Sequence, residues 1–431
     1  MRVFFSAGEA SGDACAASLV QALDSIGALS HERMARSLVR QTLEDCKGDA
    51  HAAASDLDGA YGVKVDQNAS TQEWVDAVSS RLASDEKLRS RLREESLLAV
   101  AGAKTSQTGV ALIVDSRSWG TMGIAESALG SLRVIEGYFT AKSLLRVSGP
   151  GVFVPIDFGF FNIKLCKVAR QHGWKILYFA PPGSWRKDKQ GADLPNLCDS
   201  VVCQFPWSAE ILKGMGADSH YFGHPLWDTP VSSESDTSRD GIAVLPGSRK
   251  HEIKHNIPVI AEALAGSKQH IRLSVAPNLD QVQIERQWVV SGGPPATIVS
   301  GAKDALSTSR AAIVCSGTAT LEAAYHKCPS VVVYRVSPLM KLEYLLRRPK
   351  FDFISLPNIV LGRGLVPELI QDAASPEAIR DCLAALIADG PTRDRQMEGF
   401  DEIECLLGQK GCFAKTAKLI ESLNEGLSEP N

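Results

Sequence analysis

The chain has 431 residues, enough for two domains of ordinary size and an insertion. A hydrophobic content of 44% and a charged content of 22% are those of a globular protein, and a formal net charge of −4 without a dense basic run argues against a nucleic-acid partner. Ten cysteines without a C-x-x-C pair are typical of free thiols in a reducing cytosol. Because no apolar stretch is long enough to span a bilayer, we expect a cytoplasmic protein.

The first half of the chain begins with a strand–turn–helix unit. Arg2–Phe5 has the pattern of a buried strand, Ser6–Asp13 that of a Gly/Ser loop and Ala14–Leu23 that of a helix, as at the start of a doubly wound sheet. From about 30 to 100 helical periodicity dominates, which predicts a helical insertion. Strand–helix alternation then resumes, with strands predicted at Val110–Val114, Val152–Asp157, Lys175–Phe179 and Ser200–Cys203.

A polar segment at 231–240 without periodicity is the predicted linker between domains of 1–230 and 241–407. The second domain has its own strand–helix alternation, and a C-terminal helix within 408–431 could pack back on the first domain. We therefore expect an α/β protein with two doubly wound, Rossmann-like domains that face a cleft. The strands predicted in the second domain are Gly241–Leu245, Ile271–Val275, Thr297–Val299, Ala311–Cys315 and Ser330–Tyr334.

Two glycine-bearing segments, Leu245–Arg249 (LPGSR) and Ser316–Glu322 (SGTATLE), have the pattern of a diphosphate site. Each follows a short apolar run and turns through Gly into a helical pattern, which points unpaired N–H groups and the positive end of the helix dipole at an anion. Arg249 adds a planar, permanent charge, and Glu322 adds a carboxylate suited to ribose hydroxyls. The two segments predict a sugar-nucleotide site that also contains Ser248, Ser316, Gly317 and Thr318.

The motifs of the chain resemble those of the lipid-A-disaccharide synthase family, inverting glycosyltransferases with the GT-B fold. They occur in the family's order and cover nearly everything except roughly 30–100. The matching segments are SAGEASGD at 6–13, MGIAE at 122–126, ID…FN at 156–162, FGHPLWD at 222–228, LPGSRKHEI at 245–253, SGTATLEAA at 316–324, YRVSP at 334–338 and SLPNIVLGRGLVPELIQ at 355–371.

The resemblance implies a reaction and its partners. The family transfers 2,3-diacylglucosamine from UDP-2,3-diacylglucosamine to 2,3-diacylglucosamine 1-phosphate, which releases UDP and forms a β-1,6 disaccharide. No cofactor is expected, because helix ends and Arg hold the diphosphate without a metal. The resemblance also implies a peripheral location on the inner face of the cytoplasmic membrane, and family precedent favours a homodimer.

The resemblance assigns roles to individual residues. Inverting transfer requires a base on the acceptor 6-hydroxyl, and Asp157, at the end of a predicted strand, matches the family's essential Asp; its alternative role is a helix cap. Glu9 is expected to orient the acceptor, although its loop also fits a tight turn without a ligand. Asn358, Arg363 and Glu368 are expected to close over the donor, or else to cap and link loops. The acceptor-side candidates are Ser11, Met122, Asn162, Trp185 and Arg186.

Apolar residues within Trp119–Phe139 predict a surface for acyl chains. The resemblance implies that this surface seats the lipid acceptor or dips into the membrane, while the apolar side of an ordinary core helix is the alternative. Its large members are Trp119, Met122, Ile124, Leu129, Leu132, Ile135, Tyr138 and Phe139.

Departures from the family pattern leave other functions open. IDFGFFN has Phe160 where the family has a second Asp, and APPGSWRK at 180–187 lacks one Trp of the family's tract. Both changes favour, as the alternative, a non-catalytic or altered-acceptor paralogue that binds UDP-sugar or lipid. A related UDP-sugar epimerase is disfavoured only by the family-specific motifs.

Two further segments mimic metal sites. His251–His255 spells H-E-I-K-H, the zinc-peptidase spacing, but Pro258 follows and no third ligand stands out downstream. Asp56–Asp58 spells D-L-D, which mimics the metal-binding DxD of other glycosyltransferases, but it falls in the helical insertion. Neither segment is predicted to bind a metal.

Overall fold

The fold was obtained as a computed structural model that describes residues 1–117, 119, 127–181, 192–229, 239–277, 279–336 and 352–427. Two wholly parallel sheets, one in each half of the chain, organise these residues, which confirms the predicted α/β class with two doubly wound domains. The first sheet has seven strands in the order β3-β2-β1-β4-β5-β6-β7, and the second has six in the order β10-β9-β8-β11-β12-β13. Both orders reverse beside their first strand, as in Rossmann-like sheets.

The elements of the first half alternate around the seven-stranded sheet, apart from five consecutive helices between β1 and β2. In chain order they are β1 (Val3–Ala7), α1 (Ala10–Ser25), α2 (His31–Asp45), α3 (Ala50–Tyr61), α4 (Thr71–Ser84), α5 (Glu86–Ser96), β2 (Leu97–Ala101), α6 (Ala103–Ser106), β3 (Ala111–Asp115), α7 (Ser127–Val147), β4 (Val152–Ile156), α8 (Gly159–Gln171), β5 (Lys175–Phe179), α9 (Leu194–Leu197), β6 (Ser200–Cys203), α10 (Pro206–Gly214), β7 (Ser219–Tyr221) and a 3-10 turn at Pro225–Asp228.

The second half repeats the alternation and ends in three helices. Its elements are β8 (Ile242–Leu245), α11 (Lys250–Leu264), β9 (Ile271–Val275), α12 (Gln281–Val290), β10 (Ala296–Ser300), α13 (Ala302–Thr308), β11 (Ala311–Cys315), α14 (Thr318–Tyr325), β12 (Ser330–Tyr334), α15 (Leu356–Leu361), β13 (Glu368–Ile370), a 3-10 turn at Gln371–Ala373, α16 (Pro376–Ile387), α17 (Pro391–Leu407) and α18 (Cys412–Glu425).

The registers of the central strands position the site. Parallel strands are covered by helices on both faces, which is why β1 and β4 are buried along their whole length. Ala7 of β1 pairs with Ile156 of β4, so the loops that follow these strands leave the sheet side by side. In the second sheet Val314 of β11 pairs with Leu245 of β8. The LPGSR and SGTATLE segments therefore leave their sheet as neighbours too.

The helical insertion consists of α2–α5 and has its own apolar core, in which Val39, Leu57 and Trp74 are buried. It ends at Ser96, earlier than the predicted limit near residue 100. The following segment, expected to be helical, is β2, a buried strand next to β1. Its sequence, LLAVA, is entirely apolar and too short for its periodicity to distinguish a strand from a helix.

The C-terminal helix α18 packs against the first sheet. Phe413, Ala417 and Ile420 lie in the same apolar cluster as the β1 and β4 side chains. The carboxylate of Asp228 fixes the start of this helix by accepting hydrogen bonds from the N–H groups of Gly411 (2.6 Å) and Phe413 (2.8 Å). Residues 231–238 of the predicted linker lie outside the described residues. In the described ranges no helix has the length and apolarity needed to cross a membrane.

Candidate active site

A cleft of about 870 Å³ lies between the two domains, at the carboxyl ends of both sheets. The first domain lines it with the loops that follow β1, β2 and β3, and the second with the loops that follow β8, β9, β10 and β11. In the second sheet these loops lie on both sides of the point where the strand order reverses, between β8 and β11, and in the first sheet they lie on one side of it, beginning with the loop after β1; such points are the usual ligand position in open α/β sheets. The sequence-predicted residues that line it are Glu9, Ser11, Ser248, Arg249, Ser316, Gly317, Thr318 and Glu322.

Glu252 holds the LPGSR loop in shape. Its buried carboxylate accepts hydrogen bonds from the backbone N–H groups of Ser248 (2.9 Å) and Arg249 (3.1 Å). Gly247 has φ 129°, and a Cβ there would lie 2.6 Å from Glu252 Oε2, so only Gly fits. These two N–H groups are therefore not free for an anion, contrary to the sequence-based expectation. The loop instead presents the guanidinium of Arg249 to the cleft.

Helix α14 presents its first residues to the cleft. Its N-cap is Gly317, with φ 135°, and within the described ranges no side chain caps the helix. Because Gly317, Thr318 and Ala319 line the cleft, the positive end of the helix dipole faces into it, as expected. The hydroxyl of Ser316 is used elsewhere, since it donates to the carbonyl of Ile354 (2.9 Å) and so ties α14 to the next loop.

Glu322 lies four residues further along α14 and also lines the cleft. Burial raises the pKa of its carboxyl, and the charge of Lys104 on the opposite wall offsets part of that rise. Lys104 is positioned by Asp13, whose buried carboxylate accepts from the N–H groups of Gly102, Lys104 and Thr105 at 2.9–3.0 Å. Sequence reasoning missed both Lys104 and this use of the Asp in SAGEASGD.

Asp157 sits in a tight turn that follows β4. Asp157 and Phe158 both have left-handed backbone conformations (φ 47° and 46°), which are strained for residues with side chains. The backbone carbonyl oxygen of Asp157 fixes the turn, because it accepts hydrogen bonds from the Tyr178 hydroxyl and the side-chain amide of Asn162, each at 2.9 Å. Asp157 lies beside the cleft, adjacent to the wall that contains Glu9.

The pKa of Asp157 is raised to about 6. The main cause is desolvation, because surrounding protein atoms exclude water from the carboxyl group, and the nearby negative charge of Glu9 raises the pKa further. A hydrogen bond from the Phe158 N–H and the charge of Arg249 act in the opposite direction. A carboxylate with a pKa near 6 is deprotonated at neutral pH and still basic enough to serve as a general base.

Glu9 connects the two walls of the cleft. It occupies the N-cap of α1 but makes no side-chain cap. Its carboxylate instead accepts hydrogen bonds from Arg249 Nη2 at 3.1 and 3.3 Å. The structure thus brings together Glu9, Asp157 and Arg249, three residues that sequence reasoning had assigned to separate tasks.

Four predicted contact residues do not reach the cleft. Asn162 is buried, and its side chain bonds Ser6 and the end of β4. Asn358 bonds Leu365, Val366 and Glu368 within its own loop, while Glu368 accepts from the N–H groups of Ile354 and Ser355. Arg363 forms an exposed ion pair with Glu402. Met122, Trp185 and Arg186 lie outside the described residues.

The predicted apolar surface exists in part and differs in composition. Trp119 is buried against Phe158 (ring centroids 5.6 Å) and Phe161 (5.1 Å), so it belongs to the core behind Asp157. Apart from Val147 (78%) at the end of α7, the large apolar side chains exposed on α7 and α8 among the described residues are Leu132 (61%), Ile135 (49%), Phe139 (60%) and Phe160 (82%). We call these four the apolar patch. Lys164 lies 4.1 Å over the Phe160 ring, and Lys142 lies 6.0 Å from that of Phe139.

The described residues contain no group of three or more His, Cys, Asp or Glu side chains arranged to hold a metal ion. His251 and His255 lie on α11, and the D-L-D segment lies on α3, where Leu57 is in the core of the insertion.

A ligand cleft between the carboxyl ends of two Rossmann-like sheets is the architecture of GT-B glycosyltransferases, and we assign the chain to this class. A proposed UDP-N-acetylglucosamine 2-epimerase from Listeria monocytogenes has the same fold, with a TM-score of 0.53 and 11% identity over 100% of this chain and 97% of the other. Residues 76–420 match the family model for lipid-A-disaccharide synthetase. The chain belongs to this family.

Curated relatives agree with this membership. The lipid-A-disaccharide synthase of Myxococcus xanthus is 30% identical over 78% of this chain and 92% of its own length. That of Pseudomonas paraeruginosa is 33% identical over 78% of this chain and 93% of its own length. The family model begins at residue 76, so α2 and α3 of the insertion lie outside it.

Proposed function

We propose that the chain transfers 2,3-diacylglucosamine from UDP-2,3-diacylglucosamine to 2,3-diacylglucosamine 1-phosphate, with inversion and release of UDP. The observation that carries the proposal is that a candidate base lies on one side of the cleft and groups suited to a diphosphate lie on the other. A carboxyl group with a pKa of about 6 lies on the first domain, and Arg249 and the uncapped start of α14 lie on the second. Glu9 accepts a hydrogen bond from Arg249 at 3.1 Å and its charge also acts on Asp157, which supports placing Asp157 and Arg249 at one substrate pair.

In the proposed reaction Asp157 removes the proton of the acceptor 6-hydroxyl while its oxygen bonds to the anomeric carbon of the donor. The bond from that carbon to the β-phosphate oxygen breaks on the opposite face, and its electron pair leaves with UDP. Arg249 and the first N–H groups of α14 stabilise the negative charge that develops on the leaving diphosphate. Glu322, four residues into α14, accepts from the ribose hydroxyls.

In the proposed complex the acyl chains of the substrates pack on the apolar patch. It lies on α7 and α8, and α8 follows the Asp157 turn directly. Lys142 and Lys164 place positive charge at the patch, which suits a surface that meets lipid and phosphate groups together. We therefore propose peripheral attachment to the inner face of the cytoplasmic membrane. A homodimer is part of the same proposal, and light scattering of the purified chain tests it.

The activity is tested with purified protein, UDP-2,3-diacylglucosamine and 2,3-diacylglucosamine 1-phosphate, with UDP release as the readout. We expect Asp157→Asn to lower turnover by about 10²–10⁴-fold while UDP binding persists. The control is Glu210→Gln, an exposed carboxylate on α10 that does not line the cleft, which should retain turnover. Arg249→Ala should weaken UDP binding as well as turnover.

One outcome would favour the alternative function. Phe160, exposed where the family has a second Asp, lies next to the proposed acceptor side. If the native chain binds UDP but releases none from donor and acceptor, it is a non-catalytic or altered-acceptor paralogue.

A further inference from the structure

Arg249 pairs with two carboxylates, Glu252 and Glu9, which differ in exposure and in the number of hydrogen bonds that hold them. Glu252 is on the same helix, its side chain is 5% exposed, and it is fixed by two backbone N–H donors. Glu9 comes from the other domain, and its side chain is 41% exposed. In the part of the chain that the structure describes, Arg249 is the sole hydrogen-bond donor to the Glu9 carboxylate. Glu252 is thus a fixed partner and Glu9 an exchangeable one.

The position of Glu9 is unusual for the first residue before a helix. A carboxylate at the N-cap normally accepts from the N–H groups of the first turn. Glu9 has the extended backbone of an N-cap (φ −130°, ψ 165°), but its side chain turns away and crosses the cleft. Both of its oxygens lie within 3.3 Å of one guanidinium nitrogen, where a phosphate oxygen would bind equally well.

We propose that Glu9 occupies the diphosphate subsite on Arg249 while the cleft is empty, and that the diphosphate of the donor displaces it. This inference rests on the function proposed above, because it places the diphosphate on Arg249. The exchange forms and breaks only ion pairs and hydrogen bonds. Glu9, once released, remains beside Asp157, whose side chain it already affects.

The exchange links donor binding to the basicity of Asp157. The titratable groups that face Asp157 are Glu9 and Cys15 of α1, Tyr178 of β5 and Arg249 at the start of α11. Burial raises the pKa of the Cys15 thiol to about 12 and that of Tyr178 well above its usual value, so neither is charged at neutral pH. When the donor binds, its diphosphate pairs with Arg249, so the positive charge of Arg249 no longer favours ionised Asp157. Glu9 loses its cationic partner, so its negative charge acts more strongly on Asp157. Both changes raise the affinity of Asp157 for a proton. The base therefore becomes stronger when a donor is present.

The first test measures UDP binding by calorimetry at pH 8. Glu9→Gln keeps the size of the side chain and removes its charge, so we expect UDP affinity to rise about two- to fivefold, the scale of a half-exposed ion pair. In an Arg249→Ala background the same substitution should give less than half of that gain. The control is Glu262→Gln, an exposed carboxylate on α11, which should leave affinity unchanged.

Two results would overturn the exchange: weaker UDP binding by Glu9→Gln, or an equal gain with and without Arg249. A second measurement follows proton uptake when UDP-N-acetylglucosamine binds near pH 6, since the diphosphate of a nucleotide sugar is a diester without a proton of its own at that pH. We expect net uptake by the native chain and none by Asp157→Asn; equal uptake by both would also overturn it. If the native chain binds neither nucleotide, the proposed function itself fails, which distinguishes the two failures.

Discussion

Replacement of Glu252 by Ala should loosen the loop that carries Arg249. The variant loses two hydrogen bonds from backbone N–H groups to a buried carboxylate, at 2.9 and 3.1 Å, and one side-chain contact to Arg249 at 3.4 Å. Hydrogen bonds to charged groups contribute about 1.5–3 kcal/mol each, but water from the cleft can reach the two donors. We therefore expect a loss of about 2–4 kcal/mol in the free energy of unfolding.

The same substitution should weaken UDP binding at least about tenfold, because Arg249 loses its fixed partner and its orientation. Glu252→Gln retains an oxygen that accepts both N–H bonds, so its losses should be less than half as large. Urea unfolding and UDP calorimetry measure the two effects, with Glu262→Ala on the same helix as the control. If Glu252→Ala matches this control in both measurements, the loop does not depend on Glu252.

Three further predictions concern pH and the surface. The ratio kcat/KM, which reports on the free enzyme, should fall as the pH drops through about 6, because the raised pKa of Asp157 leaves the base protonated below it, and the corresponding fall in kcat should lie at higher pH, because donor binding strengthens the base; a kcat/KM profile without this limb excludes Asp157 as the base. The double variant Leu132→Ser and Phe139→Ser should bind anionic vesicles at least about tenfold more weakly than Val289→Ser and Val290→Ser, which alter equally exposed residues of α12; equal binding refutes a lipid-facing patch. Burial lowers the pKa of His224 to about 3, well below 6.5, so the unfolded chain takes up the proton first and stability is lost as the pH falls below 6.5. His224→Gln should flatten this loss between pH 6.5 and 5 in urea unfolding, and an unchanged slope contradicts the assignment.

Most strands of the two sheets could be predicted from their apolar runs, and three could not. Predicted strands such as Lys175–Phe179 and Ala311–Cys315 coincide with β5 and β11. The strands that escaped prediction are β2, β7 and β13. β2 is too short to show a period, while β7 and β13, each three residues long and half-buried, lie at the ends of their sheets. Short edge strands form because a neighbour is present, which local sequence does not record.

The site could be predicted where function follows from local geometry. A strand, a Gly turn and a helix are enough to place α14, and a strand end is enough to place Asp157. The Glu9–Arg249 ion pair joins residues 240 positions apart in different domains, so no local pattern announces it. Glu252 was accessible in principle, since a Glu three residues after a helix cap is the signature of a carboxylate that folds back on the cap.

The SLPN…VPEL segment supports a wall of the cleft through contacts that lie outside the cleft. Glu368 accepts from the N–H groups of Ile354 and Ser355, which fixes the segment before α15. The carbonyl of Ile354 in turn receives the hydroxyl of Ser316, the residue that leads into α14. The side-chain oxygen of Asn358 accepts hydrogen bonds from the N–H groups of Leu365 and Val366, which stabilises the same loop. These contacts form a continuous path from the motif to the uncapped helix end, so removal of Glu368 should move the anion-binding N–H groups of α14 although no atom of Glu368 lines the cleft.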